Sequence, residues 1–299
     1  MNPYLLIILC IFIFAGQAIF FKMFSAGYRK GFASQFLNNI FFIGLVVLIL
    51  IAVVGLPVAE NPATYIYSLV FGVVWVVAIL FFTLGMSMGP TGMVMLFFNF
   101  GIIIPIIADL TILGTQARLF QIVGLVLLFV SFYIGNRPLD GEKKNISFRF
   151  IAVCITSLVF NGLIMATAKL HQGAMPGIDV EAFVIYGFIV SVIVSVICFV
   201  FCHIKQSRKE KEKISYLYMF KSPKYYLSVV GSSTTTALGN IWMLVIASQV
   251  PAAIQFPLMN GGASIVTAIL SIMLFKEKFT KRMAVVFIIG IAALIVVNL

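Results

Sequence analysis

Two asparagines, Asn99 and Asn260, occupy the same place in two similar stretches of the sequence. Asn99 follows Pro90 by nine residues and Asn260 follows Pro251 by nine, and each is followed two residues later by a glycine. A carboxamide offers hydrogen-bond donors and acceptors. Inside an apolar segment it needs a polar partner, because an unpaired amide there costs several kcal/mol. The pair predicts a polar site, or a gate beside one, to which both stretches contribute.

Other hydrogen-bonding side chains recur at helical spacing near these asparagines. Intervals of three and four residues place side chains on one face of a helix. One such stripe consists of Asn260, Ser264, Thr267 and Ser271, and a second of Ser232, Thr236 and Asn240. Single polar groups of the same kind are Gln17, Asn161 and Thr167. They predict either a polar wall that binds a solute or contacts that join helices by about 0.6 kcal/mol each.

A site between the two stretches has unlike walls. The counterparts of Ser264, Thr267 and Ser271 in the first stretch are Ile103, Ile106 and Leu110. One polar and one apolar wall suit an amphipathic solute. Trp75 and Trp242 lie inside apolar segments, and a tryptophan face attracts an organic cation by about 0.5–2 kcal/mol. The alternative is that both rings only pack.

Few charged groups are available for coupling to a proton. Asp109 is the only acid well within an apolar segment, and Lys169 lies near the end of another. We expect both on the same side of the membrane, where they form an ion pair that opens and closes with access. The alternative is an interfacial acid and a lysine that extends its ammonium to water.

The composition places these residues in lipid. Hydrophobic residues make up 62% of the 299 and charged residues 10%, and the mean hydropathy is +1.15, whereas soluble domains are roughly 45–50% apolar. The apolar runs are long and do not alternate, which favours helices over strands. The sequence therefore predicts an all-α membrane protein.

Ten transmembrane helices are expected, because a span needs roughly 20 apolar residues. The predicted spans are about 3–22, 33–57, 64–86, 90–113, 117–136, 149–170, 179–204, 224–248, 251–275 and 280–298. Five spans fall in residues 1–140 and five in 145–299. Since five is odd, the second half enters the membrane from the opposite side, so the prediction is two inverted five-helix repeats.

The positive charges predict the orientation. Except for Arg118 and Lys169, all Lys and Arg residues fall around the breaks after spans 1, 5, 7 and 9. The positive-inside rule places those breaks in the cytoplasm and both termini outside, in an inner or plasma membrane. The net charge of +11 then reflects topology and anionic lipid headgroups, and no nucleic-acid partner is expected.

Enzymatic motifs are absent from the sequence. It has no glycine-rich phosphate loop with its lysine and no His-Glu-x-x-His helix, and its two histidines, His171 and His203, suggest no Ser-His-Asp triad. Cys198, Cys202 and His203 could be taken for a metal-binding helix face, since positions four apart share one side of a helix. Buried thiols, however, usually only pack. We therefore predict no enzyme, no cofactor and no metal site.

Segments at helix ends and a late glycine carry a family resemblance: 85–92 (Gly-Met-Ser-Met-Gly-Pro-Thr-Gly), Asn99 to Pro105, 247–253 (Ala-Ser-Gln-Val-Pro-Ala-Ala), 274–280 with Glu277, and Gly290. In these segments the chain resembles the ten-helix EamA-like members of the drug/metabolite transporter superfamily. The resemblance covers nearly all of the chain in span count and symmetry. It implies a bundle in which spans 1, 3, 4, 6, 8 and 9 line a central cavity, with spans 5 and 10 behind.

The resemblance implies a secondary transporter that moves a small polar or amphipathic organic metabolite by alternating access. One alternative is a multidrug or organic-cation efflux carrier, and another is a non-transporting receptor or assembly subunit. Small multidrug exporters of this superfamily use a glutamate in their first helix, whereas span 1 here has no acid. The expected partners are the solute and the lipid bilayer, with the chain a monomer or a homodimer.

Overall fold

A computed structural model describes residues 3–25, 31–104, 119–136, 147–175, 177–209, 222–247, 252–276 and 281–297. Within these ranges the regular structure is helical. The helices are α1 Pro3–Phe24, α2 Phe32–Val54, α3 Ala63–Met88, α4 Thr91–Asn99, α5 Leu119–Asn136, α6 Phe148–Ala174, α7 Val180–Lys209, α8 Pro223–Ala247, α9 Ala252–Phe275 and α10 Lys281–Val297. Except for α4 and α7, each bound lies within four residues of the predicted one.

Two helices, α7 and α4, differ most from the prediction. Helix α7 continues to Lys209, beyond the predicted end at 204, because a polar helix can extend past the lipid while hydropathy marks only its apolar part. Within the predicted span over 90–113, α4 ends at Asn99 and Phe100–Ile102 form a 3-10 turn directly after it, while 105–113 lie outside the described residues. This turn contains Gly101, where an added Cβ would lie 2.7 Å from the Gly162 nitrogen of α6.

Five of the helices in the described residues are long and apolar enough to cross a membrane. They are α1, α2, α3, α6 and α7, with apolar stretches of 20 to 28 residues. Shorter apolar stretches occupy Met93–Ile102, Met259–Phe275 and Met283–Ala293. Large apolar side chains such as Leu48, Ile66 and Phe201 remain exposed. An apolar exterior is expected of helices that face lipid.

Eight helices pack side by side in a closed ring. In order around it, α1 contacts α8, α8 contacts α2, and the ring continues through α7, α3, α6, α4 and α9 back to α1. Helices α5 and α10 pack on each other, and α10 also contacts α4 and α9. Close approach within the ring depends on small residues. A Cβ added to Gly72 of α3 would lie 2.5 Å from the Gly187 carbonyl oxygen of α7.

One end of the ring, which we call the Lys22 end, is closed by a contact across it. Lys22, in the last turn of α1, donates from Nζ to the main-chain oxygens of Met86 and of Gly89, the latter at 3.1 Å. A cation suits the carbonyl oxygens that a helix end leaves unpaired. A Cβ on Gly89 would lie 2.4 Å from the Phe150 ring, in the first turn of α6. The end of α1 and the start of α6 therefore meet at one place.

The other end, the Asp179 end, is held by a carboxylate. Asp179 lies just before α7, in a left-handed conformation with φ 56°. Its two oxygens accept from the main-chain nitrogens of Glu60 at 2.8 Å and Asn61 at 2.9 Å, and one also accepts from the Thr64 hydroxyl at 2.9 Å. These bonds join the α6–α7 turn to the segment before α3.

Candidate functional site

The two predicted asparagines meet where α4 crosses α9. Asn99 is 6% exposed, and its Nδ2 donates to the Asn260 carbonyl oxygen at 3.1 Å and to Ser264 Oγ at 2.8 Å. Ser264 Oγ in turn donates to the Asn260 carbonyl oxygen at 2.8 Å. The Asn260 side chain is only half-buried. The structure thus brings three predicted site residues together, through a closed set of hydrogen bonds that we call the central crossing.

Asn161 reaches the same region from α6. Its Nδ2 donates to the Phe98 carbonyl oxygen at 2.8 Å, one residue before Asn99. The bond lies beside the close approach of Gly101 and Gly162. A carboxamide can satisfy a main-chain oxygen near the end of a helix, where partners within the helix run out. Asn161 therefore anchors α6 to the end of α4 beside the central crossing.

A second predicted group joins α1 to α8. Gln17 Nε2 donates to Thr236 Oγ1, and Asn240 Nδ2 donates to the Thr236 carbonyl oxygen at 2.8 Å. The Thr236 side chain is buried, whereas Gln17 and Asn240 are half-buried. The structure brings these three predicted residues together as well, but with their polar groups directed toward each other.

The other predicted polar residues differ in how they are bonded. Thr167 and Ser271 donate to carbonyl oxygens of their own helices, at 2.7 Å to Leu163 and 2.9 Å to Ala268. Thr267 is fully buried, and its hydroxyl has no hydrogen-bond partner among the residues that the structure describes. The stripe on α9 is therefore polar throughout, but only part of it is satisfied.

The predicted tryptophans lie in different helix interfaces. Trp75 of α3 stacks on Phe71 with ring centroids 5.6 Å apart and meets Phe188 of α7 edge-on at 4.8 Å. Its Nε1 is buried without a partner in the described part of the chain. Trp242 of α8 packs against a small cluster that includes Cys10 of α1 and Met259 of α9. The structure does not bring the two rings together.

The expected ion pair cannot be placed. Asp109 lies outside the described residues, as do Ile106, Leu110 and Glu277. Lys169 is exposed near the end of α6. The pairing of Asp109 with Lys169 stays a prediction.

One polar group that the sequence analysis missed lies on α2. Gln35, Asn38 and Asn39 are all buried, and we call them the α2 amide face. Gln35 Nε2 donates to Thr83 Oγ1 of α3 at 3.1 Å. The signal was available, since intervals of three and four residues place all three amides on one side of a helix. It was overlooked because the family resemblance assigns the second span no place in the cavity.

The network at the Asp179 end was also missed. Hydrogen bonds from the Asn61 and Glu60 main chain, and one from the Thr64 hydroxyl, lower the pKa of Asp179 despite an opposing effect of burial. The Thr64 hydroxyl also lies 3.2 Å from Nε2 of the buried His171. These residues are far apart in the sequence, and no periodicity links them. Their bonding points to a fixed structural contact.

Comparison with known proteins supports the fold alone. No family model matches the chain, and no curated protein matches it. Among solved structures, the chain is similar to one described only as "Crystal structure of protein", with a TM-score of 0.60 and 11% identity over 96% of this chain and 95% of that chain. The class defined by these observations is an all-helical protein with several helices suited to span a membrane.

Proposed function

We propose that the protein is a secondary transporter of the drug/metabolite class, EamA-like, with ten transmembrane helices in two inverted five-helix repeats. It moves a small polar or amphipathic organic metabolite by alternating access. The observation that carries the proposal is a correspondence between helix contacts. Helices α1 to α5 correspond in order to α6 to α10. Exchanging each helix with its counterpart turns the α1–α8 contact into α6–α3, the α1–α9 contact into α6–α4, and the α2–α8 contact into α7–α3.

Three helix contacts that are unchanged by this exchange support the same proposal. The α2–α7, α4–α9 and α5–α10 contacts are each converted into themselves, as expected for helices that meet on an axis relating two repeats. The central crossing belongs to one of them. Asn99 and Asn260 hold equivalent positions in the two stretches, and they meet where the axis would pass. A shared site between repeats is where transporters of this kind bind their solute.

Helix direction supports inversion. The end of α1, at Lys22, and the start of α6, at Phe150, both lie against Gly89. Helices α1 and α6 are equivalent under the exchange, yet they run in opposite directions. Two halves that insert in opposite senses can open alternately to the two sides of a membrane. We place both termini outside and the Lys22 end in the cytoplasm, from the distribution of Lys and Arg.

Flux measurements test the proposal. The purified protein is reconstituted into liposomes and offered labelled amino acids, amines and nucleobases. We expect one of these classes to be carried, with flux lowered at least tenfold by Asn99→Ala and by Asn260→Ala in folded protein. Thr156→Ala is the matched control, because that hydroxyl bonds only within α6, to Ala152 at 2.8 Å.

Four outcomes would contradict parts of the proposal. Absence of flux for every class from folded protein argues for a receptor or an assembly subunit. Flux that survives both asparagine changes makes the central crossing a helix contact rather than the site. Transport confined to amines favours the organic-cation alternative. Tags on the two termini that report opposite faces of the membrane would exclude ten spans.

A further inference from the structure

The α2 amide face lies apart from the central crossing and close to the Lys22 end. Gln35, Asn38 and Asn39 fall within the first two and a half turns of α2, which begins at Phe32. Their side chains are 0%, 1% and 0% exposed. Three carboxamides on one buried face of a membrane-spanning helix need polar partners.

Gln35 is held in one orientation by α3. The Thr83 hydroxyl donates its hydrogen to carbonyl oxygens of its own helix, with Ile79 at 2.7 Å and Leu80 at 3.2 Å. It can therefore only accept from Gln35, which presents Nε2 at 3.1 Å. The carboxamide oxygen of Gln35 is left buried, and no group in the described residues donates to it.

Asn39 and Asn38 are less satisfied still. Neither the oxygen nor the nitrogen of the Asn39 carboxamide has a hydrogen-bond partner in the described ranges, and the same holds for the Asn38 oxygen. Buried amides without partners are unfavourable in a static fold. A conformation in which these atoms meet water or a polar ligand accounts for them.

The surroundings show what closes this face. Phe42 follows Asn39 by three residues on α2, and Phe82 precedes Thr83 on α3. The Phe21 ring of α1 packs edge-on against both, at 5.1 Å from Phe42 and 5.7 Å from Phe82. The neighbouring Lys22 ties α1 to the end of α3. The three phenylalanine rings and the Lys22 hydrogen bonds thus join α1 to α2 and α3 near the amides.

We propose that the α2 amide face lines the solute path at the Lys22 end and is closed in the conformation described. When α1 separates from α3, the face is wetted and binds neutral polar groups of the solute. Carboxamides supply adjacent donors and acceptors without charge, so hydroxyl and carboxamide groups are the chemistry they fit. The inference rests on the proposed alternating access and adds α2 to the helices along the path.

Thiol accessibility tests this inference. Asn39→Cys and Asn38→Cys are made separately in full-length protein whose Cys10, Cys154, Cys198 and Cys202 have been changed to Ala. The probe is a membrane-impermeant sulfonated methanethiosulfonate, applied to either face of sealed vesicles. Lys276→Cys, at an exposed position after α9, reports access from the Lys22 side. Leu48→Cys, on the 65% exposed side of α2, reports a lipid-facing position.

We expect both amide positions to react from the Lys22 side at least tenfold faster than Leu48→Cys. Adding Lys22→Met should raise the rate at Asn39→Cys at least threefold, because the contact that holds α1 to α3 is lost. Rates no higher than that of Leu48→Cys, with Lys276→Cys reacting, overturn the inference. Two positions are used so that one misfolded variant does not decide the result.

The labelling needs no transported solute, so the two proposals fail separately. Fast labelling without flux of any solute supports opening of the α2 amide face and contradicts transport. Flux without labelling contradicts the inference and leaves the proposed function in place. Labelling from the opposite face overturns the assignment of these amides to the Lys22 end of the path.

Discussion

The central crossing and the α2 amide face are both buried amide groups in an apolar bundle, but they differ in how many hydrogen bonds their neighbours supply. Asn99 makes two hydrogen bonds to α9, within a closed set that includes Ser264. Asn39 makes none with the described residues. Both groups are desolvated, but only Asn99 is compensated by these bonds, whereas Asn39 is compensated by none of the described residues. The same residue type therefore joins helices in one place and, among the described residues, lacks a partner in the other.

This difference separates two roles that composition cannot separate. A polar group that bonds another helix stabilises one conformation, whereas a polar group without a partner favours any conformation that supplies one. The central crossing is thus suited to hold α4 and α9 together. The α2 amide face is suited to a surface that opens.

The largest effect is expected from forcing α6 away from the turn after α4, beside the central crossing. Gly101→Ala would place a Cβ 2.7 Å from the Gly162 nitrogen and 2.8 Å from the Leu158 carbonyl oxygen. Main-chain atoms cannot yield locally, so the free energy of unfolding should fall by about 1–3 kcal/mol. Unfolding in mixed detergent and denaturant measures it. Gly44→Ala is the control, since nothing lies within 4 Å of its Cβ, and an equal loss there would refute the explanation.

Removing the amide at the crossing should have the next largest effect. Asn99→Leu loses both bonds to α9, and we expect the free energy of unfolding to fall by about 1–2 kcal/mol. A double-mutant cycle with Ser264→Ala isolates the Asn99–Ser264 bond. Strictly additive losses in that cycle would show that the bond contributes nothing.

Replacing the amide of Asn39 on α2 in the same way should not lower the free energy of unfolding. Asn39→Leu removes two unpaired polar atoms, so the free energy of unfolding should stay unchanged or rise by up to about 1 kcal/mol. Ser195→Ala on α7 is the matched control, because that hydroxyl is also buried without a partner in the described residues. A loss as large as that of Asn99→Leu would remove the distinction between the two amide groups.

The smallest effect on stability is expected at the Asp179 end, where the contact is charged and therefore depends on pH, unlike the contacts of the neutral amides. The pKa of Asp179 is lowered on folding, mainly by the Asn61 and Glu60 main-chain N–H groups. Its contribution is therefore complete above the ordinary pKa of an aspartate and is lost as pH falls through the lowered value. Asp179→Asn, which tolerates the left-handed backbone, should lower the melting temperature by about 2 °C at neutral pH.

A comparison at low pH completes that experiment. The Asp179→Asn variant and the parent protein should approach one another in melting temperature as pH falls, since the carboxylate is then protonated in both states of the parent. Differential scanning fluorimetry over a pH series measures the convergence. A gap that stays constant with pH would show that the carboxylate charge is not what holds the Asp179 end.

Much of the fold was predictable from the sequence. Long apolar segments and their breaks predicted the helices, because a helix in lipid must satisfy its own main chain. The matched positions of Asn99 and Asn260 predicted that both stretches contribute to one place, and they meet there. The 3-10 turn at Phe100–Ile102 was not predicted, since it depends on how closely α6 approaches Gly101.

The candidate sites were only partly predictable. Asn161 and Gln17 were identified as polar groups within apolar segments, but their partners, Phe98 and Thr236, were not. Gln35, Asn38 and Asn39 were missed, although their spacing is as regular as that of the α9 stripe. The resemblance directed attention to other helices, and nothing local to α2 indicated which neighbours it has.

What the sequence determined by itself is where the chain is apolar, where that pattern breaks and which segments are alike, because these depend on neighbouring residues. Only the tertiary structure decided which amides are paired. Asn99 finds its partners 161 and 165 residues away, on a helix brought alongside by packing. Asn39 has the same chemistry and is also buried, but it has no such partner within the described ranges. Hydrogen bonding requires atoms within about 3 Å of each other, and that proximity is a property of helix arrangement rather than of residue type.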